Sequence, residues 1–390
     1  KHNSRRQLLD FLEGHANASG IVYCLSRRKV EATAELLVEH GINALPYHAG
    51  LDATTRATHQ RRFLREDGIV MVATIAFGMG IDKPDVRFVA HLDLPKSLEG
   101  YYQETGRAGR DGEASEAWLA YGLGDAVLLR KMIAEGEASE ERKRLENAKL
   151  DALIGYCEST GCRRQSLLAY FGEAHGGGCG HCDNCLHPPR AWDATEAARM
   201  ALSCAYRTGQ RFGAAHLIDV LRGADNAKVR QFGHHTVSTY GIGSALDAAR
   251  WRSVFRQLVA AGFLEADFDH FGALRITKAA TPLLRGEHQL HLREDPSKRE
   301  RTRRRNDTTA STNSALSADA EARFDTLRNW RSSTAREQNV PAYVIFHDAT
   351  LRSIAQHHPH TLTALAAISG VGAGKLERYG EAVLGVLAAQ

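Results

Sequence analysis

The densest grouping of residues able to do chemistry is Gln103-Glu104-Thr105-Gly106-Arg107-Ala108-Gly109-Arg110. Two arginines three positions apart share one face of a turn or helix start. Each guanidinium is planar, permanently charged and able to hold a phosphate through two parallel hydrogen bonds. Gly106 and Gly109 let the backbone come close to a partner. A solvated basic helix requires neither the glycines nor Gln103, so the pattern points to phosphate chemistry.

A second grouping is Cys162-x16-Cys179-x2-Cys182-x2-Cys185. Zinc takes four ligands tetrahedrally, and a CxxC turn brings two thiolates to one ion. The Gly-rich stretch Gly176-Gly177-Gly178 tolerates the turns this needs. An iron–sulfur cluster is the rival, but the ferredoxin run places a fourth Cys three residues further on, before Pro. Here the chain reads Cys185-Leu186-His187-Pro188. Cys157, His175, His181 and His187 are substitute ligands, while Cys24 and Cys204 read as buried apolar-face residues. Seven Cys, an odd number with four clustered, argue for a metal site in a reducing compartment and against a secreted disulfide framework.

A third observation is a missing motif. The nearest string to a phosphate-cradling GxxxxGK[ST] loop is Ser369-Gly370-Val371-Gly372-Ala373-Gly374-Lys375-Leu376. Ser369 replaces the first glycine, Leu376 replaces the Mg²⁺-binding hydroxyl, and no strand precedes it, so it is a decoy. No acidic DExH-type string accompanies it.

These residues must be positioned by a chain of 390 residues, 43% hydrophobic and 25% charged, with net charge +4. Those values suit a soluble protein of two to four domains and exclude a mostly disordered chain. No apolar run reaches the ~20 residues of a membrane span, and no signal-peptide core follows the start. Residues 1–125 alternate strand signals (Ile21–Leu25, Ala44–Tyr47, Ile69–Thr74, Phe88–Leu92, Ala117–Tyr121) with helical ones, which predicts a parallel α/β sheet covered on both faces. Residues 126–192 predict a helical segment ending in the Cys cluster. Residues 193–286 predict helices and a hairpin around Asp269–Gly272, the layout of an α+β winged helix, with Trp251, Val254, Phe255, Leu258 and Val259 as core. Residues 287–318, with six cations between Lys298 and Arg305, predict a basic flexible linker. Residues 319–390 are all helical.

The arginine segment matches the QxxGRxGR motif of superfamily 2 helicases. Val72–Arg87 and Tyr101–Gly112 closely resemble the RecQ family of DNA helicases, and Ser19–Val30 and Tyr47–Leu51 are similar to earlier motifs of the same lobe. The resemblance covers nearly the whole chain: second RecA-like lobe, zinc-binding segment, winged helix and HRDC domain, the last on Arg323–Asn339, Val340–Phe346 and Ile368–Gly374. It implies that Arg110 is the arginine finger, that Arg107 supports the phosphates or couples lobes, and that Gln103 bonds near the γ-phosphate or its water. Asp82 and Gly80 would face the nucleotide, and Thr74 and Gly78 would line the DNA path. Cys162, Cys179, Cys182 and Cys185 would hold structural Zn²⁺, and ATP and Mg²⁺ would serve the full-length enzyme.

DNA contacts are expected at Arg163 and Arg164 after the first Cys. Lys228, Arg230, His234, Ser238 and Thr239 are expected to contact phosphates in the winged helix, His270 and Phe271 at a wing tip that stacks on a base pair, and Lys375 in the HRDC turn. The implied partners are DNA at single-strand/duplex junctions and a single-strand binding protein, with no membrane and a cytoplasmic, nucleoid-associated location. With no Walker loop and no initial Met, the expectation is the C-terminal part of an ATP-dependent 3′-to-5′ DNA helicase lacking its first motor lobe and inactive alone. A non-catalytic DNA-binding protein built from the same modules is the competing reading. An RNA helicase lobe shares the arginine motif but predicts neither the Cys cluster nor the winged helix.

Overall fold

A computed structural model describes residues 3–78, 81–267, 273–295 and 316–389. The chain divides into two compact units: the N-terminal sheet lobe together with the C-terminal helices, and the residues between them.

The lobe holds five strands, β1 Ser19–Tyr23, β2 Ala44–Tyr47, β3 Val70–Ala73, β4 Val86–His91 and β5 Glu116–Leu119. All pair in parallel, in the order β2-β3-β1-β4-β5. Every residue of β1 and β3 is buried, because helices cover both faces of a parallel sheet. On one face α1 (Ser4–Leu12) and α2 (Arg27–Glu39) bury Leu8, Val30 and Leu37 against Val22, Val72 and Phe88. On the other, α3 (Ala53–Arg65) buries Phe63 with Ile21, Met71, Phe77 and Val89. Ser26 caps α2 by accepting from the Lys29 amide, and Asp52 caps α3 by accepting from that of Thr55. The arginine segment closes α4 (Leu98–Thr105) and the turn after it.

In the second unit, α5 (Leu123–Glu135) and the 19-residue α6 (Glu140–Glu158) lead to α7 (Arg163–Tyr170) and α8 (Asp183–Leu186), which carry the Cys cluster. Strand β6 (Ala191–Asp193) precedes the helices α9 (Thr195–Arg207), α10 (Ala214–Leu221), α11 (Ala227–Gln231) and α12 (Ala248–Ala260). The antiparallel hairpin β7 (Leu264–Asp267) and β8 (Ala273–Ile276) and the short α13 (Thr281–Leu284) follow. Trp251, Val254, Phe255, Leu258 and Val259 sit in one core with Leu202, Leu217 and Leu274, as their spacing predicts. The Trp251 indole N–H donates to Gly243 O at 2.8 Å.

Two expected boundaries move. Residues 287–318 do not all form a linker: β9 (His291–Arg293) pairs antiparallel with β6, and the Asp295 carboxylate accepts from Arg256 of α12 at 2.9 Å. A three-residue strand is too short to show a period in sequence. For the same reason the winged-helix domain begins before residue 193, at β6. The six-cation run lies outside the described residues.

The C-terminal helices are α14 (Ala318–Glu337), α15 (Ala342–Ile345), α16 (Asp348–His357), α17 (Leu362–Ala366) and α18 (Ala373–Ala388). They enclose their own core of Phe324, Leu327, Ile345, Phe346, Leu351, Ile354, Val383 and Leu387. The decoy string runs from the turn after α17 into the first turn of α18, with no strand before it.

Candidate nucleotide-facing edge, metal centre and DNA surface

Gly109 anchors the arginine segment. Its amide donates to Val86 O at the start of β4, and its φ of +69° is the left-handed region that glycine takes without strain. The two arginines then part company. Arg107 is only 9% exposed; its guanidinium donates to Gly78 O and reaches the Tyr23 hydroxyl, which itself donates to Phe77 O at 2.9 Å. A Cβ on Gly78 would lie 2.6 Å from Arg107 Nη2, so Gly78 makes room for the guanidinium. Arg107 therefore ties the arginine segment to the loop after β3. Arg110 turns outward: its guanidinium donates to Asp82 Oδ1 at 2.8 Å, with side chains 41% and 84% exposed. Gln103 is exposed on the last turn of α4. Thr74 caps the same loop, its hydroxyl accepting from the Ala76 amide at 3.4 Å beside an Ile75 that is 65% exposed. Gly80 lies outside the described residues.

A buried network beneath this edge has no motif signal in sequence. His91 Nε2 lies 2.7 Å from the Glu104 carboxylate, and the His91 ring stacks on Tyr23 with centroids 5.3 Å apart. Burial is the chief reason the Tyr23 phenol is pushed up, and the Arg107 charge opposes it. The Arg87–Asp111 pair, at 2.6 Å, closes the turn behind Arg110. His91 and Glu104 are set apart only by the strand-to-helix crossover that makes them neighbours.

In the second unit the four sulfurs of Cys162, Cys179, Cys182 and Cys185 lie within 4.8 Å of one another, and Cys179 and Cys185 are 3.9 Å apart. Zn–S bonds of about 2.3 Å in a tetrahedron put sulfurs about 3.8 Å apart, so one ion fits the group. Backbone amides of Cys182 and His181 donate to Cys179 Sγ at 3.4 and 3.5 Å, and that of Arg163 to Cys182 Sγ at 3.4 Å. Burial disfavours the Cys162 thiolate, but hydrogen bonds from the Gln165 and Cys179 backbone outweigh it and bring its pKa to about 6. The Gly180 amide favours the Cys185 thiolate, yet the neighbouring sulfurs push it to about 11. Four sulfurs at this spacing suit one cation that would bind them as thiolates, and the donor set fits structural Zn²⁺. Among the described residues the group contains neither Cys157, a buried thiol pushed to about 12 chiefly by desolvation, nor His175, His181 or His187.

Arg163 is not offered to a phosphate. Its guanidinium donates twice to Asp183, at 2.8 and 3.0 Å, and once to Cys157 O at 3.2 Å. Placed right after a metal ligand, it is consumed in holding α7 against α8. Arg164 is exposed.

The winged-helix candidates also divide. Lys228, Arg230 and Ser238 are exposed, with Arg230 gripping Asp225 at 2.5 and 2.6 Å. His234 and Thr239 turn inward, 8% and 3% exposed, and correct the expectation of phosphate contact. His234 Nδ1 lies 2.7 Å from His216 Nε2 in a cage with Phe212 and Phe232, and Thr239 reaches the Cys204 thiol. His235 and Phe232 are exposed there instead; the doublet His234-His235 could not show which imidazole points out. His270 and Phe271 lie outside the described residues. Lys375 lines a cavity of about 610 Å³ with Gly372, Gly374, Arg378 and Tyr379, its ammonium 5.3 Å from the Phe346 ring. Desolvation lowers its pKa.

Four family models match the chain in order: a helicase conserved C-terminal domain over residues 3–112, a RecQ zinc-binding region over 123–186, an RQC domain over 188–301 and an HRDC domain over 320–387. The ATP-dependent DNA helicase RecQ of Pasteurella multocida is 44% identical over 388 residues, covering 99% of this chain and 60% of that protein. The protein of the same name from Haemophilus influenzae is 41% identical over 391 residues, covering 99% and 62%. That from Bacillus subtilis is 35% identical over 382 residues, covering 98% and 62%. The chain thus spans roughly three-fifths of the length of the curated relatives it matches. Among the described residues no helix is long and apolar enough to cross a membrane.

Proposed function

The chain belongs to the RecQ family of DNA helicases, and from that premise we propose that it is the C-terminal portion of an ATP-dependent 3′-to-5′ DNA helicase acting in recombination and repair. Arg110 is the arginine finger, held ready at an exposed edge by Asp82 until nucleotide phosphates replace that carboxylate. Arg107 is the internal brace that carries movement of this edge to the loop after β3, which lines the DNA path. Gln103, Asp82 and Gly80 complete the nucleotide side. The sequence contains no GxxxxGK[ST] loop, so ATP and Mg²⁺ must be cradled by a first RecA-like lobe. DNA at single-strand/duplex junctions contacts Thr74, Gly78, Arg164, Lys228, Arg230, Ser238, His270, Phe271 and Lys375, and a single-strand binding protein is a partner. The location is cytoplasmic and nucleoid-associated.

The observation that supports this reading is Arg110: a half-exposed guanidinium whose ion pair is with an 84%-exposed carboxylate, on the motif that the helicase family model covers. The test is DNA-stimulated ATP hydrolysis by this chain joined to a Walker-loop lobe. Arg110→Ala should reduce kcat by about 10³–10⁵-fold with ATP affinity largely kept. The isolated chain should hydrolyse no ATP but bind forked DNA, with affinity falling steeply as salt rises. Arg110-dependent ATP turnover by the isolated chain overturns the assignment of the phosphate cradle to another lobe. A non-catalytic DNA-binding protein would bind the fork and leave the joined chain inactive.

A further inference from the structure

Arg331, in the middle of α14, is 1% exposed although permanently charged. Inside the C-terminal domain its guanidinium donates to Phe346 O at 2.7 Å and pairs with Asp348 at 2.8 Å. It also crosses to the sheet lobe and pairs with Asp67 at 3.0 Å, in the turn between α3 and β3. Ser332 donates to the same Asp67 carboxylate at 2.8 Å, Arg328 donates to Asn17 O at 2.8 Å, and Arg65 donates to Asn339 Oδ1. Asp85, paired with Lys83 at 3.2 Å, adds a further negative charge facing Arg331.

We propose that this acidic turn of the lobe is the docking surface for the chain's own C-terminal helical domain, closed by Arg331 and opened by salt or acid. Charge complementarity selects the occupant: two lobe carboxylates meet two arginines of α14. These crossing contacts are polar, and the apolar cores of lobe and C-terminal domain share no residue. Separation therefore exposes no core. It also leaves Arg331 paired with Asp348, so the released domain stays folded, whereas Asp67 loses its main partner. Burial shields the closed Arg331–Asp67 pair from salt, but once apart the two charged faces gain counterion screening, over about 10 Å at 0.1 M, so salt favours separation.

Burial works against the Asp67 charge, but Arg331, Lys83, Arg328 and the Ser332 hydroxyl outweigh it and hold its pKa below the usual carboxylate range. Docking is therefore strongest above that range and weakens as pH falls through the lowered value. Tyr343 of the docked domain, raised first by burial, also feels the charges of Asp82 and Asp85. Docking thus places the domain beside the carboxylate that holds Arg110. Only this last consequence rests on the reading of that edge as nucleotide-facing.

The test is small-angle X-ray scattering of the chain with hydrogen exchange at residues 65–68 and 328–332, which reads docking without nucleotide. At low salt and neutral pH the chain should be compact, and its radius of gyration should rise at about 1 M salt. Asp67→Arg should show the expanded form and faster exchange at low salt, and Arg328→Glu should do the same from the other side. The double variant should recover part of the compact form. Zinc content and circular dichroism check folding, and should Asp67→Arg fail to fold, Arg328→Glu decides. Unchanged dimensions in the folded variants, or a chain expanded at every salt concentration, overturn the proposal. If docking holds while Arg110→Ala leaves ATPase of the joined enzyme intact, the nucleotide reading alone fails.

Discussion

The zinc segment and the winged-helix domain share one compact unit and pose the same problem, which polar side chains face a partner and which face inward. In the zinc segment the cluster is the four cysteines named by spacing, with no substitute ligand in it. In the winged helix His234 and Thr239, two of the five expected phosphate contacts, point inward. The difference lies in how local the constraint is. Three of the thiolates come from CxxC turns that dictate their own geometry, and the fourth caps a helix beside them. The outward or inward direction of an imidazole in a doublet depends on Phe212 and His216, which lie before and on a different helix, α10.

The largest effect that would sharpen this contrast is metal removal. A strong chelator, or Cys179→Ala, should remove on the order of 10 kcal/mol of apparent binding energy from residues 123–186 and abolish their cooperative unfolding. Thermal circular dichroism with zinc analysis, at one zinc per chain before treatment, checks it. The winged-helix core, with its own apolar cluster, should survive; its collapse with the zinc segment would erase the distinction.

Well below that, Arg163→Ala should destabilise the zinc segment by about 1 kcal/mol, because it removes the pair with a largely exposed Asp183 and the bond to Cys157 O. Arg164→Ala should instead leave the melting temperature unchanged and reduce the salt slope of DNA binding by about 1. Equal effects of the two substitutions on DNA binding would restore Arg163 as a contact.

His234→Ala should cost the winged helix about 1–3 kcal/mol by leaving His216 buried without a partner. Lys228→Ala should change DNA affinity and not stability. Differential scanning calorimetry beside fork-DNA titrations separates the two.

The last contrast is one of pH. Desolvation, with the charges of His234 and Lys228, lowers the His216 pKa from 6.5 to about 4. On acidification the unfolded chain takes up this proton first, so stability is full above 6.5 and falls as pH drops toward 4. His216→Phe should flatten that stretch of the melting-temperature profile.

Much of this molecule is local and was readable without coordinates. The lobe's strands show as buried apolar runs because a parallel sheet is covered on both faces. The cysteine spacing encodes a metal centre because two-residue turns set sulfur geometry. The decoy glycine string lacks a strand and a hydroxyl, and it closes a helix–helix turn. Strand β9 was not readable, because its three residues acquire meaning only opposite Ala191–Asp193.

Sequence by itself determined that residues 103–110 carry two guanidiniums at helical spacing and that four thiols converge, since both depend on neighbours within a few bonds or one loop. Only the tertiary structure decided that Arg107 is buried against Gly78 while Arg110 reaches the surface, that Arg163 is spent on Asp183, and that Arg331 answers to a carboxylate 264 positions earlier. A charge spaced along a chain has no direction until the fold chooses which partners to bring within hydrogen-bond reach, and desolvation then makes that choice costly to reverse.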